Sequence, residues 1–363
     1  MRVLITGVTS FLGLYTAKLL LQEGHEVIGA VRPGSRRAQE LDAYGISAYP
    51  TYRTVHLDLS ELPEAELGET YYAEVLGLDP APLIDAWIHF AWDGVGSAGR
   101  SDTNIQIENI QNAKKAYLYA KLLGARKFLF AGSQAEYGRG NHRVPLPVSP
   151  YGKAKLSFGR WATEQSLLSE IYDDAPMQFI HMRIYSVYGS GDHETSLVNT
   201  VLRAALRHEA ITLGPCEQRW NYLEVHDLAR AIRILLSSED TRTGIYDIAG
   251  SDSRMLKKYV IAMNAIAARF AANADTTPGC SATTATGATR AATAGGQITD
   301  TAAGTAPTGA ELRFGTRANN AEGAANMSPE ILKLQRLGFH QEISFEAGIG
   351  MLLKTMKEEG SES

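Results

Sequence analysis

Two cysteines in 363 residues, Cys216 and Cys280, are too few and wrongly spaced for a disulfide framework or a thiolate metal site. They fit a reducing compartment. The nine histidines form no ligand-like cluster, so no metal is expected. No apolar run approaches the roughly 20 residues of a membrane span. Neither sign of charge dominates: 35 Lys and Arg stand against 40 Asp and Glu, a net charge of -5 with both signs interspersed. Such a balance gives no reason to expect nucleic acid or an anionic membrane as partner. Arg2-Val-Leu-Ile-Thr6 reads as a strand, which leaves no room for a secretory leader, and the expected location is cytoplasmic. From about Ala271 to Ala310 bulky apolar residues are missing: the segment is mostly Ala, Thr and Gly, with one Ile and no aromatic. Too little apolar surface is available there to offset the entropy of ordering the chain. Its composition predicts a mobile insertion, a functional lid being the sharper alternative.

What is present alternates. Val3 to Thr6 is a short apolar strand, and Phe11 to Gln22 carries Leu12, Tyr15, Leu19 and Leu20 at helical spacing before Gly24 stops it. Further strands are expected at Glu26–Val31, Thr54–Leu57, Ala86–Ala91, Lys127–Ala131 and Phe179–Tyr185, with helices over Ile105–Leu123 and Tyr151–Ile171. Alternation of this kind predicts an α/β fold with a doubly wound parallel sheet, and the nearly continuous apolar strands fit a sheet covered on both faces. The pattern places a dinucleotide-binding domain over residues 1–185, to which 219–240 return as a strand and helix. A smaller C-terminal substrate-binding region takes 186–218 and 241–363, including the Ala/Thr/Gly segment. Glu311-Leu-Arg-Phe-Gly315 resumes globular character, and Ser328-Pro-Glu-Ile-Leu reads as an N-capped helix with Pro at its first position.

Thr6-Gly7-Val-Thr9-Ser10-Phe11-Leu12-Gly13 lies between the first strand and first helix. Glycines there allow a tight turn and bring backbone N–H groups and the helix N-terminus toward a pyrophosphate. A tight strand–helix turn alone would need the same glycines. The position after a strand and before an amphipathic helix favours the dinucleotide cradle. Ser10 stands at the middle position where Gly is usual, so it must tolerate a close phosphate or donate its hydroxyl to it. The end of the second strand lacks the acid that usually holds an NAD ribose; it reads Ala30-Val-Arg32-Pro-Gly-Ser-Arg36-Arg37. Guanidinium groups favour a 2′-phosphate, so Arg32 and Arg36 point to NADP, with NAD as the alternative and a solvated basic loop as the bland one. Asp58, after the third strand, is a candidate for the adenine ring or a helix cap.

Tyr151 and Lys155 lie one helical turn apart on one face. A phenol with a pKa of about 10 is a poor acid–base group at neutral pH, and a nearby ammonium stabilises its anion. Ser133, just past a strand, falls at the carboxyl edge of the sheet, where ligands bind in such folds. A Tyr/Lys pair alone is common on solvated helices; the order of cradle, serine and pair is what makes it informative.

On these residues the chain resembles the extended short-chain dehydrogenase/reductases, the group of sugar-nucleotide epimerases, dehydratases and reductases with a Rossmann domain. Matching stretches are Thr6-Gly7 to Gly13, His56-Leu-Asp58-Leu59, His89-Phe90-Ala91-Trp92, Asn109, Ser133-Gln-Ala-Glu-Tyr137-Gly138, Tyr151 to Lys155, Arg183 to Gly189 and Asn221 to Asp227. The resemblance implies that Ser133, Tyr151 and Lys155 are catalytic. It implies that Gly7, Thr9, Ser10, Phe11, Leu12, Gly13, Asp58, Leu59, Phe90, Ala91 and Asn109 lie along the coenzyme with Tyr151 and Lys155. Trp92, Gln134, Ser186, Gln218, Arg219 and Asn221 would then face a nucleotide-sugar substrate. The family often has Asn where this chain has Ser186.

In the 4,6-dehydratases of this group Thr-Asp-Glu precedes an apolar residue, Tyr and Gly. Here Ser133-Gln134-Ala135 stand in those places, so no acid pair is available to remove water, and Glu136 falls one place later. Phe90-Ala-Trp-Asp-Gly94 and Gly132 to Gly138 look most like the CDP-abequose synthase type of 4-ketoreductase. The expected reaction is NADPH-dependent reduction, at C4, of a nucleoside-diphosphate 4-keto-6-deoxy sugar. The alternatives are a nucleotide-sugar 4-epimerase with tightly held NAD, and a non-catalytic nucleotide-binding regulator on the same fold. His89 and His181 are expected to be core histidines without a carboxylate beside them, and Asp227 a cap or dipole partner. Tyr117, Tyr119, Phe158 and Trp161 read as core packing; the resemblance also allows their helices to form the seam of a homodimer.

Overall fold

The computed structural model describes residues 1–63, 84–275, 309–315 and 328–361. Apolar runs form β1 (Arg2–Thr6), β2 (Glu26–Val31), β3 (Tyr52–His56), β4 (Ala86–His89), β5 (Lys127–Ser133) and β6 (Gln178–Ile184). Between them lie α1 (Phe11–Gln22), α2 (Glu40–Ala43), α3 (Ser97–Ser101), α4 (Thr103–Leu122) and α5 (Pro150–Tyr172). After β6 come β7 (Ser186–Tyr188), α6 (Leu197–Leu206), β8 (Ala210–Thr212), β9 (Arg219–Glu224), α7 (Val225–Ser237), β10 (Gly244–Ile248), β11 (Ser253–Met255) and α8 (Leu256–Asp275). The chain finishes with β12 (Glu311–Arg313), α9 (Leu332–Arg336) and α10 (Phe345–Ser361).

Seven strands form one parallel sheet in the order β10-β6-β5-β4-β1-β2-β3. Chain order reverses between β1 and β4, which opens a crevice at their carboxyl ends, where doubly wound folds bind ligands. Successive residues of each strand face opposite sides. Val3, Ile5, Ile88 and Leu129 pack with α1 and α7, through Leu14, Leu228 and Ile232. Leu4, Trp87, Phe128 and Phe130 pack on the other face with α4 and α5, through Tyr117, Ala120 and Phe158. Each such large side chain, fully buried, stabilises the fold by about 1.5–3 kcal/mol. Tyr117, Tyr119 and Phe158 belong to this core, whereas α5 exposes Leu167, Leu168, Ile171 and Tyr172 instead.

The segment expected to return to the main sheet divides. Helix α7 does return, and Lys127 Nζ donates to the carbonyls of Leu235, Leu236 and Ser238 at its end. Strand β9 does not: it pairs with β7 and β11 in a separate three-stranded sheet. The seventh strand of the main sheet is β10, from within the stretch grouped with the substrate-binding region. A third core unites α6, α8 and α10 through Val201, Tyr259, Met263 and Ile349.

Asp227, in the first turn of α7, is fully buried and accepts the backbone N–H groups of Glu342 and Ile343 while pairing with Arg230. The α7 cap itself is Glu224, which accepts from His226 N–H. The helix expected at Ser328 begins later, with Ile331 before Leu332 as its uncapped start. Asp247 on β10 captures the Glu330 N–H at 2.8 Å, and the Ser328 carbonyl accepts from His142, so tertiary partners rather than a Ser328 cap hold this stretch. Helix α8 carries the start of the Ala/Thr/Gly segment as far as Asp275, and β12 pairs with β8 beyond it. The insertion expected between them, with Cys280, lies outside the described residues. No helix among the described residues is long and apolar enough to cross a membrane.

Candidate active site

The β1–α1 turn is built for close approach. Gly7 has φ +75°, and a Cβ there would lie 2.8 Å from the Ala91 nitrogen; one on Gly13 would lie 2.3 Å from the Gly7 carbonyl oxygen. Only glycine lets this turn sit against the end of β4 and lets α1 start beneath it. Ser10 caps α1, its Oγ accepting the Gly13 N–H at 3.1 Å, so the hydroxyl proton remains to be donated. Beside this turn a cavity of about 560 Å³ is lined by Gly7, Thr9, Ser10, Arg32, Asp58, Leu59, Phe90, Ala91 and Asn109. These include most of the residues expected along the coenzyme. Arg36 is exposed and absent from the lining, and its neighbour Arg37 takes the place.

A second cavity, of about 540 Å³, adjoins the first along Ser10, Arg37, Phe90 and Trp92. Phe11, Leu12, Ser133, Gln134, Tyr151, Lys155 and Ser186 line it. Strand β5 ends at Ser133, whose Oγ accepts the Ala135 N–H at 3.2 Å and caps a single 3-10 turn, Gln134–Glu136. Helix α5 starts with Ser149 as cap and Pro150 at its first position, which puts Tyr151 at its N-terminus. A Cβ on Gly152 would lie 2.5 Å from the Ala135 carbonyl oxygen. Glycine there lets α5 press against the turn that carries Ser133. In this way the topology brings Ser133, Tyr151 and Lys155, from β5 and α5, to one cavity.

Lys155 is 3% exposed. Its Nζ donates to the Ala131 carbonyl at 2.7 Å and lies 3.8 Å from the Trp92 ring centre, against 5.6 Å from that of Tyr151. Burial, seconded by the Arg100 charge, holds its ammonium pKa well below the ordinary lysine value against the pull of the Glu136 carboxylate. Arg100, on the short helix α3, lies over the Tyr151 ring at 4.6 Å and is a second cation that the sequence did not mark.

Behind Ser133 lies a buried cluster. Glu136, fully buried, accepts the Ser133 N–H at 2.8 Å, His181 Nε2 at 3.0 Å and Arg183 Nε at 2.9 Å. His181 therefore has the carboxylate partner it was not expected to have. Burial alone would raise the Glu136 pKa, but His181, Arg183 and the Ser133 N–H outweigh it and hold the carboxyl below the ordinary glutamate value. His89 is a core histidine: its Nδ1 meets Thr6 Oγ1 at 2.8 Å, and its Nε2 has no hydrogen-bond partner among the described residues. Burial, then the Lys155 charge, lowers its pKa to about 3.

Three residues expected at the substrate do not line this cavity. Strand β9 alternates, and its Trp220 and Tyr222 face the cavity. Asn221 instead pins Gly250, Asp252 and Ser253, Arg219 donates to the Ser253 carbonyl, and Gln218 lies outside the lining. Gln134 Nε2 donates to Ser186 Oγ at 3.1 Å, joining two residues that do face it. Among the described residues no group of three or more His, Cys, Asp or Glu is placed to hold a metal.

Residues 3–249 match the model of the NAD dependent epimerase/dehydratase family. The chain is 23% identical over 247 residues to CDP-abequose synthase of Yersinia pseudotuberculosis, a match covering 68% of this chain and 76% of that protein. To UDP-glucose 4-epimerase of Corynebacterium glutamicum it is 24% identical over 284 residues, covering 72% and 78%. Among solved structures, MoeE5 in complex with UDP-glucose and NAD superposes with a TM-score of 0.68 at 19% identity, over 99% of each chain. At that identity the likeness is one of fold.

Proposed function

The chain belongs to the NAD-dependent epimerase/dehydratase family, and from that premise we propose that it reduces the 4-keto group of a 4-keto-6-deoxy sugar carried on a nucleoside diphosphate, with NADPH as reductant. The observation that carries this reading is the convergence of Ser133, Tyr151 and Lys155 on one cavity that runs into the Gly7–Gly13 cradle. The acid pair that dehydration needs is absent: Gln134 and Ala135 occupy those places. The chain's similarity to a CDP-abequose synthase supports the choice of a ketoreductase.

The cradle fits a dinucleotide: Gly7, Thr9 and Ser10 line the cavity at the N-terminus of α1, and Cβ atoms at Gly7 and Gly13 would meet backbone and force the turn open. Its pyrophosphate would be held at Gly7 to Gly13, its adenosine end by Arg32, Asp58, Leu59 and Asn109, and its nicotinamide end near Phe90, Ala91, Tyr151 and Lys155. A bound reduced nicotinamide supplies hydride chemistry at the sugar's C4. Tyr151 gives its phenol proton to the C4 oxygen, and Ser133 donates its hydroxyl to the same oxygen. The N-terminus of α5 and the Arg100 guanidinium stabilise the negative charge left on the ring oxygen. Lys155 holds the coenzyme ribose. The nucleotide sugar would lie between residues 1–185 and the smaller region, against Trp92, Gln134, Ser186, Trp220 and Tyr222. A homodimer would cover the apolar residues that α5 exposes, Leu167, Leu168, Ile171 and Tyr172.

Arg32 favours a second reading, a 4-epimerase retaining NAD, because its guanidinium is already engaged by Asp93. The two readings part in one assay. With a nucleoside-diphosphate 4-keto-6-deoxy sugar, the reductase oxidises NADPH one for one with product. Interconversion of 4-epimers with no added coenzyme, and no NADPH oxidation, would establish the epimerase instead.

A further inference from the structure

We propose that Asp93 sets the coenzyme preference of this chain by occupying the guanidinium of Arg32. The inference rests on the reading that the cradle binds a nicotinamide dinucleotide, and it names a residue outside the cradle that decides which one. Arg32 is the first residue past β2. Its Nη2 donates to both carboxylate oxygens of Asp93, at 2.9 and 3.1 Å. Its Nε lies 3.7 Å from Asp58 Oδ2. Asp58 is already engaged, because its Oδ1 accepts the Ser60 N–H at 2.9 Å and the Ser60 hydroxyl at 2.7 Å. Asp93 is held in place from behind. Asn109, 5% exposed, accepts the Asp93 N–H and donates to the Asp93 carbonyl, both at 2.9 Å. Asn109 thus fixes the backbone from which Asp93 reaches Arg32.

A ribose diol needs little from Arg32. A 2′-phosphate needs its charge, and to obtain it must displace Asp93 and lie near two carboxylates. The Arg32 and Asp93 side chains are 56% and 58% exposed, so water screens their pair and displacement is affordable but not free. Replacing the carboxylate releases a cation and removes a repelling anion together, and both changes act on the phosphate alone. Asp93 acts through Arg32, and is a positioning residue.

The test is equilibrium binding rather than turnover. NADPH, NADH and the fragment 2′,5′-ADP are titrated into wild type, Asp93→Asn, Arg32→Ala and the double variant, with melting curves to confirm that each is folded. Asp93→Asn is expected to tighten NADPH and 2′,5′-ADP about fivefold, with NADH within about twofold, the upper scale for freeing one solvent-exposed ion pair. The gain should shrink with added salt, and with Arg32 as Ala it should fall to within about twofold, the part left to repulsion by Asp93 alone. Equal changes for NADPH and NADH, or a gain undiminished without Arg32, would overturn the proposal. The wild-type ratio is a separate result: a preference for NADH overturns the NADPH reading and leaves the role of Asp93 to the variants. Binding of neither dinucleotide by wild type overturns both.

Discussion

The carboxylate of Glu136 accepts the backbone N–H of Ser133 at 2.8 Å, so a residue buried behind the cavity fixes a residue that lines it. Glu136 stands where the related dehydratases have an apolar side chain, and β6 supplies His181 and Arg183 to hold its charge. Removing one partner of such a buried set leaves the others uncompensated. Glu136→Ala is expected to destabilise the protein by about 3–5 kcal/mol in urea unfolding. Glu136→Gln keeps the shape and should lower kcat with little change in coenzyme affinity. The carboxylate's contribution to stability is full above its unfolded pKa of about 4.3 and is lost as the pH falls through its lower folded value. A Glu136→Ala variant as stable as wild type at neutral pH would remove the cluster from this account.

Lys155 should separate stability from function. It is buried, and its charge is disfavoured there. Lys155→Met keeps length and apolar packing against Trp92, so its melting temperature should equal or exceed that of wild type. Turnover at sub-saturating coenzyme should fall about 10–10²-fold, the scale of one lost charge-assisted hydrogen bond to the ribose. A variant that melts earlier but turns over normally would mean that Lys155 is structural.

His89 gives a pH dependence with a definite sign. Its pKa falls from 6.5 to about 3 in the folded protein. The unfolded chain therefore binds more protons below pH 6.5, and stability declines as the pH falls from there toward 3. The loss from this residue should reach about 2 kcal/mol by pH 5, before most carboxylates titrate. His89→Gln should flatten the curve between pH 7 and 5 relative to wild type. Parallel curves would contradict the assignment.

Much of the fold is legible in the sequence because doubly covered strands are apolar runs, and glycine and proline mark the turns between them. Tyr151 and Lys155 are legible for the same local reason, since four residues span one turn of a helix. What the sequence hides is long-range. Glu136 and His181 meet only through the register of β5 on β6, which pairs Phe130 with His181. The facing of Trp220 and Tyr222 rather than Arg219 and Asn221 is a question of strand parity, and either parity suits an alternation of polar and apolar residues. Arg37 rather than Arg36 reaches the cavity beside the β1–α1 turn, from a loop with no periodicity to read. Arg100 comes from a five-residue helix with no sequence signature. The Ser328 stretch looks like a helix start until Asp247 takes its backbone.

The most direct test of the central claim is Tyr151→Phe, assayed for turnover and for NADPH affinity on the same preparation. Loss of one hydroxyl should cut turnover about 10²–10⁴-fold while NADPH binding stays within about twofold. Undiminished turnover would contradict the account, since the phenol of Tyr151 would then not be the proton donor.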